Sequence, residues 1–358
     1  MNSLYHHRHG GQAESGAYKK NLLDFSVNIS PIYPFDEPLT IDSAALQVYP
    51  SIDGRVIREF YSRRFALDDA TVLALNGAVE GIYLLPRALG IRRMLLLSPS
   101  FYEYGRAARI AGAETGFVRL SPCEGFAVPS LERLAEQLEG FDAFFLANPN
   151  NPTGTLFPQE LTMALASRFP DKWFFVDEAF IQFLPDFPEA SLMKRVQAFR
   201  NIVVVHSLTK FYALPGLRLG ALVAHPDTIG RLCDFKEPWA VNVAAEGVAR
   251  ELASCGEYES ALMALMATER ERMLSALSSM PAMRAAGGAA NFFLVQWHGA
   301  CSLDRFLEHL LQRGIMVRDC RNFEGLEENY FRFAIRTRSE NDVLLEAFRA
   351  VQELQEAC

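Results

Sequence analysis

Val203-Val-Val-His-Ser-Leu-Thr-Lys-Phe-Tyr-Ala-Leu-Pro-Gly-Leu-Arg-Leu-Gly220 is the stretch on which the reading of this chain turns. From Ile202 to Val205 it is a short β-branched run, the kind that fits a strand buried on both faces. The run breaks into a polar turn, Ser207-Leu208-Thr209, which hands a single lysine, Lys210, to the end of the strand. Further on, Arg218 sits between Gly216 and Gly220. Burying an ammonium is costly without a partner, so a lysine in such a place needs a reason. An isolated Ser-x-x-Lys is most often a loop with its lysine in water. Two hydroxyls beside the lysine and an arginine at a fixed offset make a different set. They offer an amine that can bond to an aldehyde, and donors that can hold a phosphate.

Upstream, other apolar runs also end in polar turns. Val72-Leu-Ala-Leu-Asn-Gly-Ala-Val-Glu-Gly-Ile-Tyr-Leu-Leu85 reads as strand, glycine turn and helix. Gly77 lets the backbone come close, and the amides of Ala78 and Val79 then point from a helix N-terminus, a cradle for phosphate. Met94-Leu-Leu-Leu-Ser98 is a short buried strand leading into Pro99-Ser-Phe-Tyr-Glu-Tyr-Gly105, where Phe101, Tyr102 or Tyr104 could begin a helix packed on the sheet. Phe141-Asp-Ala-Phe-Phe-Leu-Ala147 runs into Asn148-Pro-Asn-Asn-Pro-Thr-Gly154, whose two Asn-Pro dipeptides predict a rigid turn at a strand end. Trp173-Phe-Phe-Val-Asp-Glu-Ala-Phe180 leaves Asp177 at the carboxyl end of its strand.

These segments together resemble the fold-type I enzymes that use pyridoxal 5′-phosphate (PLP). Within them the chain is most similar to the threonine-phosphate decarboxylases of cobalamin synthesis, sisters of the histidinol-phosphate aminotransferases. The resemblance runs from His9-Gly10-Gly11 to about Arg338, and Ser207 to Gly220 is its most specific part. It implies that Lys210 holds the resting cofactor as an imine and that Asp177 keeps the pyridine nitrogen protonated. By the same resemblance Phe101 stacks on the pyridine ring, and Asn151 donates to the phenolic oxygen. The cofactor phosphate falls to Gly77, Ala78, Val79, Ser207, Thr209 and Arg218, with Tyr49 reaching across from the other subunit of a homodimer. His9 and Gly10 would approach a substrate phosphate, and Asn28 would lie over the substrate. One departure is informative. Aminotransferases of this class typically carry tyrosine three residues after the aspartate; this chain has Phe180, as the decarboxylases do.

Half the residues are hydrophobic and 22% are charged, as in an ordinary soluble protein. The net charge of −8 argues against nucleic acid or an anionic membrane as a main partner, while leaving room for an anionic substrate held by local arginines. The six cysteines show no C-x-x-C pair and read as free thiols in a reducing compartment. No apolar run approaches the length of a membrane span, and the first residues are too polar for a signal peptide, so the expected location is cytoplasmic. His6, His7 and His9 have no carboxylate or cysteine cluster beside them, so no metal is expected.

Beyond Gly220 the chain predicts another strand, Ala221 to Ala224, then helical periodicity from Ala244 to Leu277, with Glu269-Arg-Glu-Arg272 read as a solvated face. Pro238-Trp-Ala-Val-Asn242 between them resembles a substrate-side loop of the decarboxylases. A second α/β unit opens at Gly287 to Val295. It continues as helix (303–312), strand (315–318), strand (330–335) and helix (341–354). Arg318, Arg332 and Arg336 fall in or at the ends of these strands, where charges seldom sit without a partner. A guanidinium fork matches a carboxylate or phosphate, so all three are expected to bind the substrate, and the resemblance assigns Arg332 and Arg336 to it. Salt bridges to Asp319 or Glu340 are the structural alternative.

The expected fold is therefore α/β, the PLP-dependent fold-type I architecture with a mostly parallel central sheet. Residues 45–245 form the large domain; 1–44, as an arm, and 246–358 form the small one. The implied reaction is decarboxylation of L-threonine O-3-phosphate, a small phosphorylated amino acid, to (R)-1-amino-2-propanol O-2-phosphate. The alternative is a histidinol-phosphate aminotransferase or a related class I/II aminotransferase.

Overall fold

The strands that end beside Lys210 form the middle of a seven-stranded sheet. The computed structural model describes residues 22–41, 43–326 and 329–356. Strand β1 (Leu23–Asp24) opens the described chain, and α1 (Arg55–Phe65) precedes β2 (Val72–Asn76) and α2 (Ala78–Ala88). Then β3 (Arg93–Ser98), α3 (Tyr102–Ile110), β4 (Glu114–Arg119), α4 (Leu131–Leu138), β5 (Ala143–Ala147), α5 (Gln159–Arg168) and β6 (Trp173–Asp177) alternate. Strands β7 (Ile202–Ser207) and β8 (Leu219–Ala224) complete the sheet, in the order β2-β8-β7-β6-β5-β3-β4. β8 runs antiparallel to both neighbours, and the other pairings are parallel.

The runs of Val, Leu and Phe are continuous because both faces of the sheet are covered. Val204, Phe174 and Val176 belong to one hydrophobic cluster, and Val203, Val205 and Phe175 to the other. This is the two-residue alternation of a strand between two cores. Burying each such side chain contributes roughly 2 kcal/mol. The register then gathers polar residues at one edge. Ala147 pairs with Asp177, Asp177 with Val205, Ser207 with Gly220, and Asn76 with Leu219. Strand ends far apart in sequence therefore surround one point, the usual place for a ligand in an open α/β sheet.

Helices α6 (Pro226–Cys233), α7 (Val243–Leu252) and α8 (Gly256–Ser278) lead to a second sheet of four antiparallel strands. It contains β9 (Met283–Ala285) and β10 (Phe292–Trp297); helix α9 (Leu303–Gln312) and strand β11 (Ile315–Met316) follow, then β12 (Arg318–Asp319), β13 (Tyr330–Ala334) and helix α10 (Arg338–Glu356). The order is β12-β13-β10-β9. β1 pairs in parallel with β11, Leu23 opposite Ile315, so the first described strand lies against this C-terminal unit.

Three readings change. The strand expected over 315–318 is two, because Ile315 and Met316 bond to the arm while Arg318 and Asp319 bond to β13. The strand expected from Gly287 starts only at Phe292, since Gly287 and Gly288 lie against Thr153 and Gly154. Glu269, read as solvated, is buried and held by Arg272 and by Asn341 of α10. Charge-rich spacing on α8 could not reveal that another helix covers it. The five described cysteines are free, and among the described residues no helix is long and apolar enough to cross a membrane.

Candidate active site

Lys210 lies at the floor of a cavity of about 530 Å³ at the edge where β5, β6 and β7 end. Burial lowers its pKa to about 8, helped by the positive charges of Arg332 and Arg218 and opposed by Asp177. An amine so placed keeps an unprotonated share near neutrality, the form that attacks carbonyl carbon. Asp177 also lines the cavity. Its Oδ1 accepts from the Ala179 amide at 2.9 Å and its Oδ2 from the Tyr104 hydroxyl at 2.7 Å. Burial pushes its pKa up to about 6; Tyr104, the Ala179 amide and the charge of Lys210 pull the other way.

The opposite side is an anion cradle. Gly77 caps α2 at φ +80°, and a Cβ there would collide with the guanidinium of Arg218. Arg218 itself takes a left-handed conformation, φ +58°, uncommon for a residue with a side chain and frequent at functional sites. At Gly220 a Cβ would come within 2.9 Å of the Ala78 amide nitrogen, so only glycine lets β8 lie this close to the start of α2. The first amides of a helix have no acceptor within it and, with the helix dipole, favour an anion. Ser207 and Thr209 reach the same cavity, their hydroxyls 2.9 Å apart.

Phe101, Ala78, Val79, Asn28, Asn151 and Arg332 complete the expected set in the lining. Arg332 donates to Asn151 Oδ1 and, at 2.9 Å, to the carbonyl of Ser26, which leaves the Asn151 NH2 as the end able to donate. Among the described residues, the buried Arg332 Nε and both side-chain polar atoms of the buried Asn28 have no hydrogen-bond partner. Buried polar groups are rarely left so, and these two beside a cavity fit a polar ligand.

Other expected residues stand elsewhere. Arg318 is directly opposite Arg332 across β12 and β13, bonded to Asn322 at 2.8 Å and lying over Phe323, but it does not line the cavity. Arg336 is taken by Glu340, at 2.7 and 2.9 Å, and by the Asp24 carbonyl, so the salt-bridge alternative describes it. Tyr49 is 82% exposed against Trp239 and outside the cavity of its own chain. Gly77 acts from behind the lining, and His9 and Gly10 lie outside the described residues. The sequence had left Tyr104 undistinguished from its neighbours. It also missed Tyr83, Glu103 and Arg106, which share hydrogen bonds at the cavity wall because α2 packs on α3.

The family model for class I and II aminotransferases matches residues 42–348. The chain belongs to this family. It is 33% identical over 366 residues to the threonine-phosphate decarboxylase of Salmonella typhimurium, covering 98% of each chain. The histidinol-phosphate aminotransferase of Clostridium acetobutylicum superposes with a TM-score of 0.83 at 27% identity, over 93% of this chain and 99% of that one. The L-threonine-O-3-phosphate decarboxylase of Porphyromonas gingivalis superposes with a TM-score of 0.78 at 24% identity, over 92% and 99%. Family members use PLP, and the cavity suits it. Lys210 could bond to its aldehyde, Asp177 could hold its pyridine nitrogen and Asn151 could donate to its phenolic oxygen, while the α2 start with Arg218, Ser207 and Thr209 suits a phosphate.

Proposed function

We propose that this protein is a PLP-dependent carboxy-lyase of cobalamin biosynthesis that converts L-threonine O-3-phosphate to (R)-1-amino-2-propanol O-2-phosphate and CO2. The choice of reaction rests on Phe180. It lines the cavity three residues after Asp177, packed edge-on against Phe292, and offers no hydroxyl to a phenolic oxygen. The bound cofactor supplies the sink for the electron pair left on Cα when CO2 departs. Asp177 holds a proton on the ring nitrogen, which its ionised form stabilises. Asn151, its Oδ1 taken by Arg332, would donate through its NH2 to the cofactor's phenolic oxygen.

Arg332 and Asn28 bind an anionic group of the substrate through the polar atoms that lack partners. Arg318, directly opposite Arg332 in the pairing of β12 with β13, is buried behind the cavity lining. The positive charge of Arg318 bears on Arg332, and a substrate anion held at Arg332 offsets that repulsion. The anion sites would choose the reaction by fixing which bond to Cα is presented to that electron sink. Lys210 is the amine that can return a proton to Cα.

A homodimer with shared sites belongs to this reading. Tyr49, with Val48, Ile52 and Trp239, is a large exposed apolar group that a second copy would cover, bringing the Tyr49 hydroxyl to the partner's cofactor phosphate. A cytoplasmic location accords with the free cysteines.

Incubation with phosphothreonine should release CO2 without keto-acid formation. Glutamate formed rapidly from histidinol phosphate and 2-oxoglutarate, with phosphothreonine inert, would establish the aminotransferase instead. Mixing Tyr49→Phe with Lys210→Ala should restore part of the activity through hybrid sites. A fully active monomer would exclude the shared site.

A further inference from the structure

Asp177 has two oxygens and few donors. Oδ1 is occupied by the Ala179 amide, a backbone group fixed by the turn after β6. Oδ2 is occupied by Tyr104, from a different element, α3, and that hydroxyl is as buried as the carboxylate it meets. The Tyr104 ring cannot swing away. It stacks on Phe145 with centroids 4.3 Å apart and planes 22° apart, and Phe145 is itself edge-on to Phe175 at 5.5 Å. Its other contact is Phe101, edge-on at 5.6 Å. One side chain thus touches both the aromatic at the cavity wall and the acid at its floor.

We propose that Tyr104 is a positioning residue for Asp177, setting the carboxylate's direction and keeping it ionised so that it can hold a proton on the cofactor's ring nitrogen. This rests on the assignment of PLP to the cavity and is independent of the substrate.

The choice of tyrosine has a chemical logic. A cationic donor at Oδ2 would neutralise Asp177 and weaken its hold on a pyridinium, whereas a phenol donates without adding charge. Burial and the neighbouring carboxylate raise the Tyr104 pKa well above its usual value, so the proton stays on the phenol. Among the groups that oppose the burial of Asp177, Tyr104 comes first, ahead of the Ala179 amide and of Lys210. The titratable groups that bear on Asp177 are Tyr104 from α3, Lys210 after β7 and, behind it on its own strand end, Glu178. Lys210 gives up its free ammonium when it bonds to an aldehyde, and the hydrogen bond from Tyr104 does not depend on that charge.

The test is Tyr104→Phe, which keeps the ring stack and removes only the hydroxyl. Cofactor uptake by the cofactor-free protein is followed by visible absorbance across pH 5 to 9. The variant should bind PLP about tenfold or more weakly at pH 7, and the acid limb of binding should move up by about one pH unit. On phosphothreonine kcat should fall with KM little changed. A purely structural tyrosine would not move the acid limb. In an Asp177→Asn background the same substitution should cost less than about twofold, because a neutral amide gains nothing from being kept charged. Affinity and acid limb unchanged by Tyr104→Phe, or an equal loss in the Asp177→Asn background, would overturn the role of Tyr104. Wild-type protein that takes up no PLP at any pH would instead overturn the cofactor assignment.

Discussion

The two sheets treat their charged residues in opposite ways. On the seven-stranded sheet, charged and polar groups sit just past the strand ends, and the register converges them: Asp177, Ser207 and Lys210 share one cavity although a long irregular segment separates β6 from β7 in the chain. On the four-stranded sheet, three arginines occupy similar places at or near strand ends, yet only Arg332 lines the cavity. Arg318 is held by Asn322 and Arg336 by Glu340. A parallel sheet puts every carboxyl end on one side, so a motif at a strand end already has an address. An antiparallel sheet sends alternate ends in opposite directions, and whether an arginine meets the ligand depends on strand pairing and on nearby acids.

The largest expected effect lies on the first side of this contrast. Lys210→Ala should cut turnover by roughly three orders of magnitude or more, and the purified protein should lose the visible absorbance of its bound cofactor. The fold should persist, because Lys210 contributes its pocket position and its carbonyl, which accepts from the Ser30 amide at 2.9 Å, a backbone bond that alanine retains. Borohydride reduction of the wild type followed by peptide mapping should place the cofactor on this lysine. Recovery on another lysine would break the account at its centre.

The second prediction is the direct comparison within the arginine sheet. Arg332→Lys replaces a fork that spans Asn151 and the Ser26 carbonyl with a single ammonium, and should lower kcat/KM for phosphothreonine about ten- to a hundredfold. Arg336→Lys should change kcat/KM by less than about threefold and reduce stability by no more than about 1 kcal/mol, since its ion pair with Glu340 is partly screened by solvent. Steady-state kinetics and denaturant unfolding of the two variants decide it. Equal kinetic losses would mean that Arg336 serves the substrate as the resemblance implied.

The same contrast explains what could be read from the sequence. The strand runs, the polar turns that follow them and the Gly77 helix start are local, so the central sheet was legible, and the family resemblance pointed to Lys210, Asp177, Asn151 and Arg218, which line one cavity. The split of the 315–318 strand was not, because two short halves choose different partners only after the N-terminal arm has folded back. Nor was the bond from Tyr104 to Asp177, which joins residues 73 positions apart. Tyr104 lies three residues after Phe101, on one side of α3, and that spacing was the only signal available. The hydrogen bond by which Asn341 of α10 reaches the buried Glu269 was not legible either, because it joins two distant helices.

The smallest effect on turnover, and the finest division, separates two neighbours at one strand end. Asp177 faces the cavity; Glu178 points into the protein, fully buried, where it accepts from the Ser191 hydroxyl and from the Leu192 amide at 2.9 Å. It ties the segment after β6 back to the strand and touches no ligand. Burial, opposed by those two donors and aided by the charge of Asp177, pushes its pKa up to about 8. In the unfolded chain a glutamate titrates near its ordinary value of 4.5. Between these values the folded protein binds more protons than the unfolded one, so this group's contribution to stability is full below the lower value and is lost as pH rises through the upper one. Asp177 acts with the same sign but only up to about 6. His206 and Lys210, whose burial lowers their values to about 3 and about 8, act with the opposite sign. The difference between wild type and Glu178→Gln from pH 6 to 8 is therefore what isolates Glu178. In cofactor-free protein, Glu178→Gln should remove a decline in unfolding free energy on the order of 2 kcal/mol across that window. Turnover at pH 8 should stay within about twofold of wild type. Denaturant midpoints for wild type and variant that fall in parallel from pH 6 to 8 would show that Glu178 is already ionised in the folded state, and a loss of turnover matching that of Asp177→Asn would erase the distinction between the two acids.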